Sequence, residues 1–311
     1  MNGVFEVNFA AFSIFVALLI TEIMGAVVLL IAWPARGKVL DYLVPVWEVT
    51  GTFGAFWVVT GDFAYPTLLV PVASLFAPLL VVFVMLWVAR SASISFAEFI
   101  TKRGWLDEMK LYRAYALSTI VIGIVVLVLL SSLVGGQGVD LSTGSFSLAS
   151  WATAGSMAFI LGTLLLGVGF APVFFDLPQL RGYVLPFAGA GVALSVLSYW
   201  LMSSALVTWW MSVPVVLTLL AGALYLWPRT VKVVTNKGVF LTVLSIIIFS
   251  LQFLVYPAAV GQALSIDAVT TAGAMADAFI SMTLVGASLL AVMLLLYIRV
   301  AARGPSGPDF P

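Results

Sequence analysis

Apolar residues run along this chain in long blocks separated by short polar punctuation. A helix that crosses a bilayer needs about 20 mostly apolar residues. Nine stretches meet that length, at roughly 8–33, 42–61, 66–90, 112–134, 148–171, 183–206, 208–228, 238–256 and 271–299. In lipid a backbone must satisfy its own hydrogen bonds, so such blocks are predicted to be helices. The second is the least apolar and holds Glu48 among several glycines. The sixth and seventh are separated only by "SALVTWW" and predict a tight hairpin. The pattern predicts an all-α polytopic membrane protein with nine transmembrane helices, residues 1–311 forming a single integral membrane domain.

Charge orients the helices. The sequence has 13 Lys and Arg in total. They fall after the first span (Arg36, Lys38), after the third (Arg90, Lys102, Arg103, Lys110, Arg113), after the fifth (Arg181), after the seventh (Arg229, Lys232, Lys237) and at the C-terminal end (Arg299, Arg303). The opposite connections carry only acids: Glu6, Asp62, Asp140, Asp267 and Asp277. Basic residues mark cytoplasmic loops, so the N-terminus is expected outside and the C-terminus in the cytoplasm. The connection 91–111 reads as an amphipathic surface helix, with Phe96, Phe99, Ile100 and Trp105 toward lipid. The outer loop 134–147, rich in Gly and Ser, reads as flexible.

A weak echo links "WPARGK" (33–38) to "DLPQLRG" (176–182). It suggests a parallel repeat of 8–134 and 148–256, with 271–299 as an extra helix. Pro and Arg are also common at cytoplasmic helix ends, which is the plainer explanation. "GVGFAP" (167–172) and "GAGVA" (189–193) read as small-residue faces for helix packing.

Composition narrows the chemistry. Apolar residues make up 63% of the chain, charged residues 8%, and mean hydropathy is +1.20. A soluble domain carries about 25% charge. There are no cysteines and no histidines, the usual haem and metal ligands, so no haem or transition metal is expected on this chain alone. No basic run suits a nucleic acid, and no glycine-rich phosphate loop suits a nucleotide. The N-terminus lacks the basic region of a cleaved signal peptide.

Three acids fall within or near the spans: Glu22, Glu48 and Asp277. An acid at the bilayer centre costs roughly 2.5–3.5 kcal/mol on insertion scales and is a functional candidate by default. Asp277 reads as a helix-start residue at the interface. Every Lys and Arg lies outside the predicted helix cores, so no internal ion pair is expected. Glu48 then reads either as a proton relay or as a neutral carboxyl hydrogen-bonded to a neighbouring helix.

The stretch "TEIMG" (21–25), then Trp47-Glu48, then "FAYPT" with Pro66, then "LVVFVMLWVAR" ending in Arg90 and followed by "SISFAEF", resembles subunit II of cytochrome bd-type quinol oxidases. The segment 256–300 also resembles that family's last outer loop and helix. The resemblance spans most of the chain at low identity. After Trp47-Glu48 the family's Gly-Asn is replaced by Val49-Thr50, and the first-helix motif is shortened to Glu22 and Met24-Gly25. Such departures suit a divergent branch, for example an archaeal one. The resemblance implies two four-helix bundles plus a peripheral helix. It further implies a haem-free subunit of the prokaryotic plasma membrane that scaffolds a haem-bearing subunit I holding haems b and d. Quinol would be oxidised on that partner. Glu48 matches the family acid that feeds protons from the cytoplasm to the oxygen-reducing haem. Glu22, Thr50 and Thr52 are expected along that path, Trp47, Pro66 and Arg90 are expected to be structural, and a quinone or lipid is a candidate between helices. The alternatives are a proton-coupled secondary transporter or channel using Glu22 and Glu48, and a haem-free assembly subunit. On each reading, any oxidase chemistry belongs to a complex and not to this chain by itself.

Overall fold

The structure is a computed structural model and describes residues 3–99, 107–202, 235–252, 256, 258–260 and 264–303, together with 216, 220, 222, 223 and 225. It is built from helices. They are α1 (Val4–Ile31), α2 (Arg36–Ala64), α3 (Leu69–Leu75), α4 (Ala77–Phe99), α5 (Glu108–Gly135), α6 (Leu148–Trp151), α7 (Ala154–Phe174), α8 (Val184–Met202), α9 (Lys237–Gln252), α10 (Ile266–Val269) and α11 (Ala274–Arg303). Seven segments among the described residues are long and apolar enough to cross a membrane, and α9 is a shorter apolar helix. The chain is therefore an all-α polytopic membrane protein. The expected span 208–228 and the hairpin before it lie outside the described residues, apart from the helical positions Val216, Leu220, Gly222, Ala223 and Tyr225.

Two expectations are corrected. The block 66–90 is not one helix. α2 stops at Ala64, just before Pro66, and a short α3 containing Pro71 precedes α4, which has Pro78 in its first turn. Proline lacks an N–H and collides with the preceding turn, so each one tends to reset the helix. At the other end α4 does not stop at Arg90 but continues to Phe99. The serines after Arg90 look like punctuation, yet Ser93 bonds back to the Ala89 carbonyl at 2.7 Å, which lets a serine sit inside a helix. Residues 91–99 thus extend a spanning helix rather than forming a surface helix. Ile100 and Trp105 lie outside the described residues. α5 starts afresh at Asp107, whose carboxylate caps the Lys110 N–H at 2.7 Å.

The loop expected to be flexible is folded as well. β1 (Val139–Asp140) pairs antiparallel with β2 (Ser145–Phe146). The turn is held by the Asp140 carboxylate, which accepts from the Ser142 hydroxyl at 2.6 Å and the Ser142 N–H at 2.9 Å. These bonds hold the Asp140 carboxyl below the usual range. A second hairpin, β3 (Ala258–Ala259) with β4 (Leu264–Ser265), lies at the same end.

α1 is the central post, packed by α2, α5, α7, α9 and α11. α4 and α11 expose most of their apolar lengths. α1 passes into α2 through a 3-10 turn, Trp33–Ala35, and α7 passes into α8 through another, Pro178–Tyr183, each opened by a proline. The two turns touch: Lys38 donates to the Asp176 carbonyl at 2.8 Å and pairs with its carboxylate at 3.7 Å.

Candidate functional site

Where α1, α2, α4 and α5 meet, four buried polar side chains converge. Glu22 and Arg90 are fully buried and joined by a hydrogen-bonded ion pair between Arg90 Nη2 and Glu22 Oε2. Arg90 Nη2 also reaches the Trp47 carbonyl at 3.4 Å. The guanidinium lies over the rings of Trp87, at 4.6 Å from the centroid, and Tyr115, at 5.7 Å. Thr50, on α2, faces the pair from the side, and its hydroxyl bonds to the Val46 carbonyl at 3.0 Å. One turn along α1, Thr21 shares a 2.7 Å hydrogen bond with Tyr42.

This overturns the expectation that no internal ion pair exists. Arg90 was placed in a loop because it ends an apolar block and precedes serines. Inside the helix its charge is instead offset by Glu22 and by two aromatic faces, a cation–π contribution of about 0.5–2 kcal/mol each. Glu22 Oε1, Arg90 Nε and Nη1, and the Tyr115 hydroxyl are buried without a well-formed hydrogen bond. The cluster thus keeps spare donors and acceptors in a low-dielectric setting, where each has high energetic weight.

Glu48 lies on the other side of α2. Residues 48 and 50 are two apart on a helix, so they point in nearly opposite directions. Thr50 faces inward and Glu48 is exposed. The Glu48 side chain has no hydrogen-bond or ionic partner among the described residues, while its backbone carbonyl accepts from Thr52 at 3.0 Å. Glu48 sits about 18 Å along the axis from Arg36 at 1.5 Å per residue, well inside a helix long enough to span. Asp41, Glu48, Thr52, Ala55, Val59 and Asp62 are all exposed. Their spacing alternates between threes, fours and a seven, so they form one stripe down a single face. Trp47 is half-buried, and Pro66 is exposed at the break after α2. Asp277 is exposed in the first turn of α11, as a helix-start acid should be.

The structure therefore gathers Glu22, Thr50, Arg90 and the Trp47 carbonyl into one cluster and sets Glu48 with Thr52 on a separate, outward face. The sequence reading missed Thr21, Tyr42 and Tyr115. Their only signal was a polar atom at helical spacing within an apolar run, which many packing residues share. Among the described residues no three His, Cys, Asp or Glu side chains come together as a metal site.

No described protein family matches the sequence, and no curated protein does either. The fold does have a solved counterpart. The chain is similar to a chain of the bd oxidase from Geobacillus thermodenitrificans, at 18% identity and a TM-score of 0.76, covering 96% of this chain and 98% of that one. The fold anticipated from the residues around Trp47-Glu48 is the fold the chain has.

Proposed function

We propose that this chain is the haem-free subunit II of a cytochrome bd-type oxidase in a prokaryotic plasma membrane, with nine spans and its N-terminus outside. It scaffolds a haem-bearing subunit I and lends a carboxylate to that subunit's proton supply. Haems b and d, quinol oxidation and oxygen reduction belong to the partner.

The observation that carries this reading is the outward polar stripe on α2, in a chain with the fold of a bd oxidase chain. A carboxylate aimed at acyl chains costs roughly 2.5–3.5 kcal/mol, and nothing within this chain offsets it for Glu48. A second protein against α2 offsets that cost by supplying polar groups or water. A carboxyl at such a seam exchanges protons with both sides. Thr52, on the same face, adds a hydroxyl next to it. Glu22 and Thr50 form the second polar site behind this face. Arg90, gripping both Glu22 and the Trp47 carbonyl, fixes the rotation of α2 that turns Glu48 outward.

The test is Glu48→Gln in the complex purified with its native partners. Expected are an unchanged reduced-minus-oxidised haem spectrum and subunit ratio, with oxygen reduction slowed about tenfold or more, equivalent to ~1.4 kcal/mol of barrier. Turnover that matches wild type across the pH range removes the relay. A preparation with no copurifying cytochrome removes the oxidase assignment and leaves the transporter or assembly-subunit readings.

A further inference from the structure

A second site lies away from the ion pair, between α1, α5, α7, α8 and α9. There a cavity of about 340 Å³ runs through the bundle, walled among the described residues by hydrocarbon and aromatic side chains. Its α9 wall extends from Phe240 to Gln252, about 18 Å at 1.5 Å per residue. An apolar cavity of this size stays dry and suits an apolar guest.

Its two ends differ. At the far end the polar groups are already used by the chain itself. Gln252 donates to Ser13 at 2.6 Å and to the Phe9 carbonyl at 3.2 Å, and Ser198 donates to the Ser195 carbonyl at 2.8 Å. At the near end, one helical turn before Phe240, stands Lys237. Its ammonium lies 5.0 Å above the Tyr42 ring and has no hydrogen-bond acceptor among the described residues. An aromatic run links that ring to the cavity wall: Tyr42 to Phe174 at 4.7 Å, then Phe174 to Phe240 at 5.1 Å. Lys38 and Arg181 share this rim with Lys237, against the acids Asp41 and Asp176, and Arg181 Nε is buried without a hydrogen bond.

We infer that this cavity holds one acyl chain of an anionic phospholipid, whose phosphate is held at the rim by Lys237 and Lys38. The apolar length accepts the tail, the far end has no free polar group to seat a headgroup, and the cations at the near end match a phosphate. Basic pockets between helices at the cytoplasmic face bind anionic headgroups by the same electrostatics. A neutral quinone head would leave the lysines uncompensated.

This inference is independent of the oxidase reading, because its test has no activity readout. The complex is purified with its native partners and stripped with detergent. Tm is then recorded with added phosphatidylglycerol, phosphatidylcholine or quinone, and lipid retained before stripping is identified by mass spectrometry. Expected are a Tm rise of several degrees with phosphatidylglycerol only, and a retained anionic lipid near one per chain. Lys237→Gln is expected to cut the phosphatidylglycerol shift to the phosphatidylcholine level, and Val196→Trp, which fills the cavity, to abolish it. Equal shifts with both lipids, a shift with quinone alone, no retained lipid, or a Lys237→Gln shift equal to wild type overturns the inference. Should Val196→Trp fail to fold, the lipid comparison on the wild-type complex still decides.

Discussion

Two helix pairs in this molecule follow similar 3-10 turns, yet they are held together by opposite means. α7 and α8 meet through glycines. A Cβ at Gly169 would come within 2.7 Å of the Ala188 backbone nitrogen, one at Gly191 within 2.7 Å of the Leu166 nitrogen, and one at Gly162 within 2.8 Å of the Ser195 nitrogen. That seam is backbone against backbone, the close approach that small residues allow in membranes. α1 and α2 meet around charge: Glu22, Arg90 and Thr50 fill their contact with α4. Hydrocarbon gives no net attraction between helices in lipid, so each seam needs another source of adhesion. One uses dispersion at short range and the other uses ionic and polar contacts at a point.

The contrast predicts how each seam breaks. Glu22→Ala should be the most damaging change, because it leaves Arg90 buried and unpaired at a cost of about 3–5 kcal/mol. The check is detergent unfolding monitored by circular dichroism, together with yield from membranes. A wild-type unfolding curve would mean that Arg90 finds water or another partner. Gly169→Leu should come next, costing about 1–3 kcal/mol by overpacking, with the loss confined to α7–α8. Cysteine pairs placed across that seam should lose cross-linking, while pairs across α1–α2 keep it. The smallest effect should come from Glu22→Leu combined with Arg90→Met. Replacing a whole buried pair by hydrocarbon is often close to neutral, so the double variant should recover most of the stability that Glu22→Ala loses. A double variant as unstable as Glu22→Ala would show that the hydrogen bond to the Trp47 carbonyl, and not the charge balance, holds α2.

The two seams were not equally legible in the sequence. The α7–α8 seam could be read from "GVGFAP" and "GAGVA", because glycine in an apolar helix has few uses other than close packing. The charged seam could be read only in half. Glu22 stood out within an apolar block, whereas Arg90 sat at a block's edge and looked like a loop residue. Composition cannot distinguish a serine that ends a helix from one that bonds back to the preceding turn, and Ser93 is of the second kind. Glu48 was visible as an anomaly, but its outward direction depends on the rotation of α2, which is set by Arg90 and Trp47 far away in sequence. The prolines at 66, 71 and 78 announced the break between α2 and α4, although hydrophobicity alone ran straight through it.

The pair of Glu22 and Arg90 also has a consequence for biogenesis. The ribosome delivers α1 well before α4, at about 5–20 residues per second. From the emergence of residue 22 to that of residue 90, the nascent protein holds half of an electrostatic contact for on the order of 3–14 s. During that interval the acid must remain protonated or hydrated, and the third long segment enters the bilayer more easily because a counter-charge is already waiting for it. Quality-control proteases that patrol the membrane meet their best substrate in that window, before the guanidinium arrives.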